Sequence, residues 1–279
     1  MSPTKIEWTD ETWSPVTGCT PTSAGCDNCY ARRMAKRIAG RFGYPKRDPF
    51  KVTVHQDKLW APLKWRKPRS VFVCAMGDLF HPHVPWDAIA EIWGVMAVAG
   101  SAGMFEGTKK GQAFGPHTFQ VLTKRPGRMM DILRQMSFRA RVAGVTERLN
   151  RVAGDWLAKQ LWPVPRLWPL PNVWVGTSLE NEGHQDRLDA LRSTPAAVRF
   201  LSCEPLLSYP FEPEEDLRGI DWVIAGAETG LGKRPMDYGA AMAIMALCHE
   251  HGVPFFFKKN SEGTSLLGGL EYREMPTLK

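Results

Sequence analysis

Val173-Trp174-Val175-Gly176 runs directly into Thr177-Ser178-Leu179-Glu180-Asn181. A short, β-branched apolar run without polar alternation is the pattern of a strand buried on both faces, as in a parallel sheet covered by helices. The abrupt polar ending marks where the strand leaves the core. The same form recurs along the chain. Val71-Phe72-Val73-Cys74-Ala75 ends in Met76-Gly77-Asp78, and Thr118-Phe119-Gln120-Val121-Leu122 ends in Thr123-Lys124-Arg125. Val198-Arg199-Phe200-Leu201 ends in Ser202-Cys203-Glu204, and Trp222-Val223-Ile224-Ala225-Gly226 ends in Ala227-Glu228-Thr229. Val253-Pro254-Phe255-Phe256-Phe257 closes the series at Lys258.

Segments with helical spacing lie between these runs. Trp86 to Val98 carries Ile89, Ile92, Trp93, Met96 and Ala97 on one side, and Tyr238 to His251 carries Met242, Ile244, Met245 and Leu247. Alternation of strand and helix predicts right-handed βα units. The chain is therefore expected to be α/β, a full or partial parallel (β/α) barrel of about six strands, in one domain over residues 1–279. The competing doubly wound sheet usually shows Gly-x-Gly-x-x-Gly after its first strand, and that fingerprint is absent. Two stretches break the rhythm and read as insertions. One lies near 100–117 and is glycine-rich. The other, 137–171, is rich in Arg, Trp and Pro, with a helix expected over 145–161 followed by a proline-rich loop, the whole capping or flanking the barrel mouth.

In barrels the carboxyl ends of the strands build the active site. Asp78, Lys124, Arg125, Ser178, Glu180, Asn181, Cys203, Glu204, Glu228 and Lys258 all stand at such ends, so they should surround one polar pocket. Upstream of the first long run, Cys19, Cys26 and Cys29 have the spacing Cys-x6-Cys-x2-Cys on a loop that precedes an expected helix over 30–39. Thiolates are soft ligands that select zinc, copper(I) or iron–sulfur clusters. Structural zinc wants four protein ligands, and the nearest downstream histidine is His55. Three cysteines instead suit a four-iron cluster with one iron left open. Zinc with a fourth ligand elsewhere, and thiols with no shared role, stay open as alternatives.

Hydrophobic residues make up 43% of the chain and charged residues 23%, which supports an ordinary core and excludes compositional disorder. No stretch reaches the roughly 18 apolar residues of a membrane span, and residues 1–10 do not form a secretory signal. A soluble cytoplasmic protein with no membrane partner is expected, in which six cysteines are not a disulfide framework. The net charge of +7 favours a polyanionic partner. Lys and Arg cluster in three runs, at 32–47, 64–69 and 125–151.

Several further motifs carry a resemblance. Ile6-Glu7-Trp8-Thr9-Asp10, Trp13-Ser14-Pro15-Val16-Thr17-Gly18-Cys19 and Gly25-Cys26-Asp27-Asn28-Cys29-Tyr30-Ala31 open the set. Met76-Gly77-Asp78-Leu79-Phe80-His81, Leu122-Thr123-Lys124-Arg125-Pro126 and Val175 to Asn181 follow. Ser202 to Leu207, Gly226-Ala227-Glu228-Thr229-Gly230 and Arg234-Pro235-Met236 complete it. The chain resembles the phage-associated three-cysteine-motif proteins, which are similar to the radical S-adenosylmethionine superfamily. It departs from them in having Ala227 and Thr229 where Gly and Ser are usual, and cysteine at 74 and 203.

The resemblance implies a partial (β/α) barrel, radical-SAM-like, with a [4Fe–4S] cluster on Cys19, Cys26 and Cys29, S-adenosylmethionine as cofactor, and a 5′-deoxyadenosyl radical. It further implies rearrangement of an amino-acid adduct on thymine in phage DNA, with DNA or a modified nucleotide as partner and a flavodoxin or ferredoxin as electron donor. Met76, Asp78, Ser178, Glu180, Asn181 and Glu228 are the expected cofactor-binding residues. Lys124 and Arg125 suit a carboxylate or phosphate of the substrate. Cys203, Glu204 and Lys124 are candidates for catalysis, Cys203 as a hydrogen-atom donor or else as a buried small hydrophobe. His81 and His83 read as a possible metal pair or a loop feature. Trp8, Trp13 and Trp60 read as base-stacking or core residues. The alternatives are a radical enzyme acting on a peptide or small metabolite, and a non-catalytic zinc-stabilised nucleic-acid-binding module.

Overall fold

The computed structural model describes residues 4–65, 67–101, 116–152, 168–213 and 216–277. Seven parallel strands form one curled sheet, a half-barrel. They are β1 (Glu11–Trp13), β4 (Ser70–Val73), β5 (Thr118–Thr123), β6 (Val173–Ser178), β7 (Val198–Cys203), β8 (Trp222–Ala225) and β9 (Phe255–Phe257), in that spatial order. The six apolar runs are thus six adjacent strands. The seventh, β1, adds at the edge in register Glu11 to Val71 and Trp13 to Val73. Three residues that include a buried glutamate carry too little apolar pattern to be read as a strand. A short antiparallel ladder, β2 (Val16–Thr17) with β3 (Thr53–Val54), flanks the sheet.

Successive strand residues point to opposite faces, and both faces are apolar. Val71, Val73, Phe119, Val121, Val173, Val175, Leu201, Val223, Phe255 and Phe257 join the large core shared with the helices. Their neighbours Trp174, Val198, Phe200, Trp222, Ile224 and Phe256 turn the other way into a second core, packed with Phe72 and Leu122. Trp8 plugs this inner core, with its ring 4.8 Å from Phe72 and 6.0 Å from Trp222. Burial on both faces explains why the strands lack polar alternation. It also settles two tryptophans: Trp8 and Trp13 are core residues, whereas Trp60 is half exposed.

The helical layer comprises α1 (Tyr30–Arg37), α2 (Trp86–Ser101), α3 (Pro126–Arg134), α4 (Met136–Val152), α5 (Gln185–Arg192) and α6 (Tyr238–Glu250) among the described residues. Pro126 opens α3, where its missing N–H costs nothing. Asp237 caps α6 by accepting from the Ala240 N–H at 2.9 Å. The expected helix over 145–161 begins at Met136 instead, and its residues from 153 onward lie outside the described ones, as does most of the glycine-rich excursion. The helix packs against α2, where Gly94 lets Val145 approach, and Arg141 and Arg148 pair with Asp87 and Glu91. No helix among the described residues is long and apolar enough to cross a membrane.

Candidate functional site

A cavity of about 270 Å³ lies at the carboxyl ends of the strands. Asp78 follows β4, Lys124 and Arg125 follow β5, Ser178 ends β6, Glu204 follows β7, and Glu228 follows β8; all six line it. Cys19, Cys26 and Cys29 line the same cavity from the loop between β2 and α1. Phe72 and Leu122 form its apolar floor over the inner core. The strand ends and the cysteine loop, 50 to 200 residues apart in the chain, meet because a parallel half-barrel delivers every strand to the same rim.

The cysteine loop is held from several sides. Its base is fixed where the Gly18 N–H donates to the Met76 carbonyl at 2.9 Å. Arg125 donates to the Cys19 sulfur at 3.2 Å and to the Thr20 carbonyl at 2.8 Å. Asp78 aims that guanidinium, accepting from it at 2.9 Å while also accepting from the Thr123 hydroxyl at 2.7 Å and the Phe80 N–H at 2.9 Å. Glu180, fully buried, receives the Ser23 hydroxyl at 3.0 Å, Arg187 at 3.0 Å and the Lys124 ammonium. A Cβ at Gly25 would lie 2.5 Å from the Glu180 carboxylate, so only glycine allows the loop to seat there. On the far side Glu228 accepts from Asn28 at 2.8 Å and from Arg234, which also donates to the Ala24 carbonyl at 2.9 Å. Arg33 donates to the carbonyls of Thr229 and Leu231. The loop after β8 is thereby latched to the cysteine loop.

These environments shift the ionisable groups. Burial draws the Lys124 ammonium down to about 8, with Arg187 adding to the effect and Cys26 and Cys29 opposing it. Burial resists ionisation of Glu228, but hydrogen bonds from Arg234 and Asn28 outweigh it and hold the carboxyl at about 2. The Cys19 thiol is raised by burial and by Asp78. At Cys26 burial is overcome by hydrogen bonds from Thr22 and Ser23 and by Lys124, which lower the thiol. The scattered cysteines differ: burial lifts Cys74 and Cys248 to about 12 and pushes Cys203 up as well.

The structure gives several of the expected site residues protein partners. Asp78, Glu180 and Glu228 spend their carboxylates on protein donors and position the loop. Arg125 lines the cavity while its guanidinium donates to Asp78, Thr20 and Cys19. Glu204 pairs with Lys258 at the rim. Cys203 is fully buried in the core and is not among the lining residues. Asn181 and Met76 do not line the cavity either, although the Met76 carbonyl holds Gly18. Both His81 ring nitrogens have protein partners, the Thr20 hydroxyl at 2.9 Å and the His83 N–H at 3.1 Å.

Ser23, Asn28, Arg33, Arg187 and Arg234 were not singled out in the strand-end pattern. One signal existed for Arg187, which shares a helix face with Leu191 one turn on and is buried with it. Among the described residues, no three His, Cys, Asp or Glu side chains converge on a point fit for one metal ion. No curated protein and no solved structure matches the chain. A family model described as "Protein of unknown function (DUF5131)" matches residues 3–266, nearly its full length, and the chain belongs to that family.

Proposed function

We propose that the chain is a radical S-adenosylmethionine enzyme that holds a [4Fe–4S] cluster on Cys19, Cys26 and Cys29. Its substrate in this reading is a thymine base of phage DNA carrying an amino-acid adduct, which it rearranges. The observation that carries the reading is the meeting of three loop cysteines with the strand ends of a parallel half-barrel at one cavity. The donor set fits such a group. A single zinc ion needs ligands converging at about 2.3 Å from one point, whereas a four-iron cluster takes each thiolate on its own iron. An N–H aimed at one cysteine sulfur and two hydroxyls 3.9 Å from another are the hydrogen bonds that support cluster thiolates.

Bound there, the cluster and S-adenosylmethionine supply one-electron chemistry that yields a 5′-deoxyadenosyl radical. The chain's own residues do the rest. Arg125, aimed by Asp78 and Thr123, fixes the Cys19 sulfur. Glu180 and its cations fix Ser23 and hence the stretch before Cys26. Ser178 and Thr229 offer hydroxyls at the wall, and Phe72 and Leu122 keep water from the floor.

Anaerobic reconstitution with iron and sulfide tests this. A brown protein near four irons per chain that cleaves S-adenosylmethionine under dithionite is expected. Cys19→Ser, Cys26→Ser and Cys29→Ser should each lose both properties, while Cys248→Ser keeps them. One zinc per chain with no cleavage would end the proposal. Mass analysis of nucleosides from adduct-bearing DNA, against free nucleotide and peptide, decides the substrate.

A further inference from the structure

Of the three basic runs, the first keeps the most cations without a carboxylate partner among the described residues. In the third run Arg125 pairs with Asp78, Arg141 with Asp87 and Arg148 with Glu91, while Arg128 donates to the carbonyls of His81 and Val84. In the second, Arg69 pairs with Glu11. Residues 30–51 differ. They hold eight Lys and Arg against one Asp, a net +7 that equals the formal charge of the whole chain. Arg33 is taken by the latch and Arg32 lies over the Phe50 ring at 5.9 Å. Lys36, Arg37, Arg41, Lys46, Arg47 and Lys51 are all exposed. Among the described residues, none of the six has a carboxylate within ion-pair distance.

Two aromatic rings stand in the same segment. Phe42 is 72% exposed and Tyr30 is 56% exposed. Phe42 sits at φ +53, a left-handed conformation that bulky residues avoid. The turn that imposes it is closed by the Tyr44 N–H on the Arg41 carbonyl at 2.9 Å and by the Lys58 ammonium on the Phe42 carbonyl at 3.1 Å. Core packing does not account for a ring exposed to water on a left-handed backbone, and such backbone outliers cluster at functional positions. The segment also begins and ends at the cavity, since Tyr30, Ala31 and Phe50 line it.

We propose that residues 30–51 are the docking surface for a nucleic-acid strand with unpaired bases. Phosphates lie on the six unpaired cations, Tyr30 stacks on a base at the cavity rim, and Phe42 stacks on another farther along the segment. Cations that meet no protein carboxylate are free to replace the counterions of a phosphate backbone, and stacking on an aromatic ring accepts any base. The proposal rests on the cavity being the catalytic site, but it is read by binding alone, without turnover. A failed reconstitution and a failed docking surface are therefore distinguishable.

The experiment is fluorescence anisotropy of a labelled single-stranded DNA 20-mer with the full chain across a salt series. Each phosphate contact contributes about −0.7 to the log–log slope for single strands. The triple variant Lys36→Ala, Arg37→Ala, Arg41→Ala is expected to flatten the slope by about 2. The control pair Arg141→Ala, Arg148→Ala leaves it unchanged. Phe42→Ala should weaken binding about ten-fold with the slope preserved, and the loss should vanish on an abasic strand. Circular dichroism confirms folding of each variant, all of which alter exposed side chains. An unchanged slope in the triple variant would overturn the surface. Equal binding of inorganic polyphosphate and the 20-mer would overturn the nucleic-acid partner.

Discussion

Glu180 is the residue on which the site turns. It is fully buried and holds Lys124, Arg187 and Ser23 around one carboxylate. Removing one partner of a buried ion pair strands the others, at about 3 kcal/mol or more. Glu180→Gln keeps the shape and the Ser23 contact but leaves two buried cations uncompensated. It is expected to lower unfolding free energy by about 3 kcal/mol in urea titration, with the slope m unchanged. Glu228 gives a pH test. Its carboxyl, held at about 2 against an ordinary 4.5, contributes stability that is present above 4.5 and is lost as pH falls toward 2. Thermal melts should show that drop in the parent chain, and Glu228→Gln should flatten it in the same window. These carboxylates were legible as strand-end residues. Their partners were not, because Ser23 and Asn28 lie on a loop whose landing point depends on the curl of the sheet.

At the scale of elements, the latch between the loop after β8 and the cysteine loop is the distinctive feature. Gly230 sits at φ +98, where a side chain is strained whatever the space, and its added Cβ would meet the Arg33 guanidinium. Gly230→Ala should cost about 1–2 kcal/mol and release Arg33 from the carbonyls of Thr229 and Leu231. Hydrogen exchange should then rise over 226–236 and over 20–33 while the strands stay protected. Protection lost across the sheet would show that the latch is not a separate unit. The six long strands were readable because burial on both faces removes polar alternation. The first strand was not, since three residues at an edge are recruited by β4 and not by their own pattern. The start of α4 was misplaced for a related reason: its packing against α2, which nothing local announces, decides where it begins.

For the whole molecule, the half-barrel has an edge at β9 that the chain itself covers. Phe256 bridges Arg273 antiparallel, the Phe257 N–H donates to the Tyr272 carbonyl at 2.9 Å, and Trp222 donates to the Glu274 carbonyl at 2.9 Å. Arg273 then pairs with Glu7 near the opposite edge. Removing residues 270–279 bares a Phe-rich edge strand, which invites pairing with another copy. The shortened chain should melt lower and elute as aggregate in size-exclusion chromatography, and an unchanged monomer would contradict this role for the tail.

The amino-acid sequence alone determined that strands and helices alternate, that the strands are buried on both faces, and that polar groups gather at one end of each. Those are local properties, written in residue type and spacing. Which of those polar groups face the cavity and which are used up on one another was decided by tertiary structure. So was which basic run keeps most of its cations without an ion-pair partner. Ion pairing depends on distances between segments far apart in the chain, and only the closed fold sets those distances.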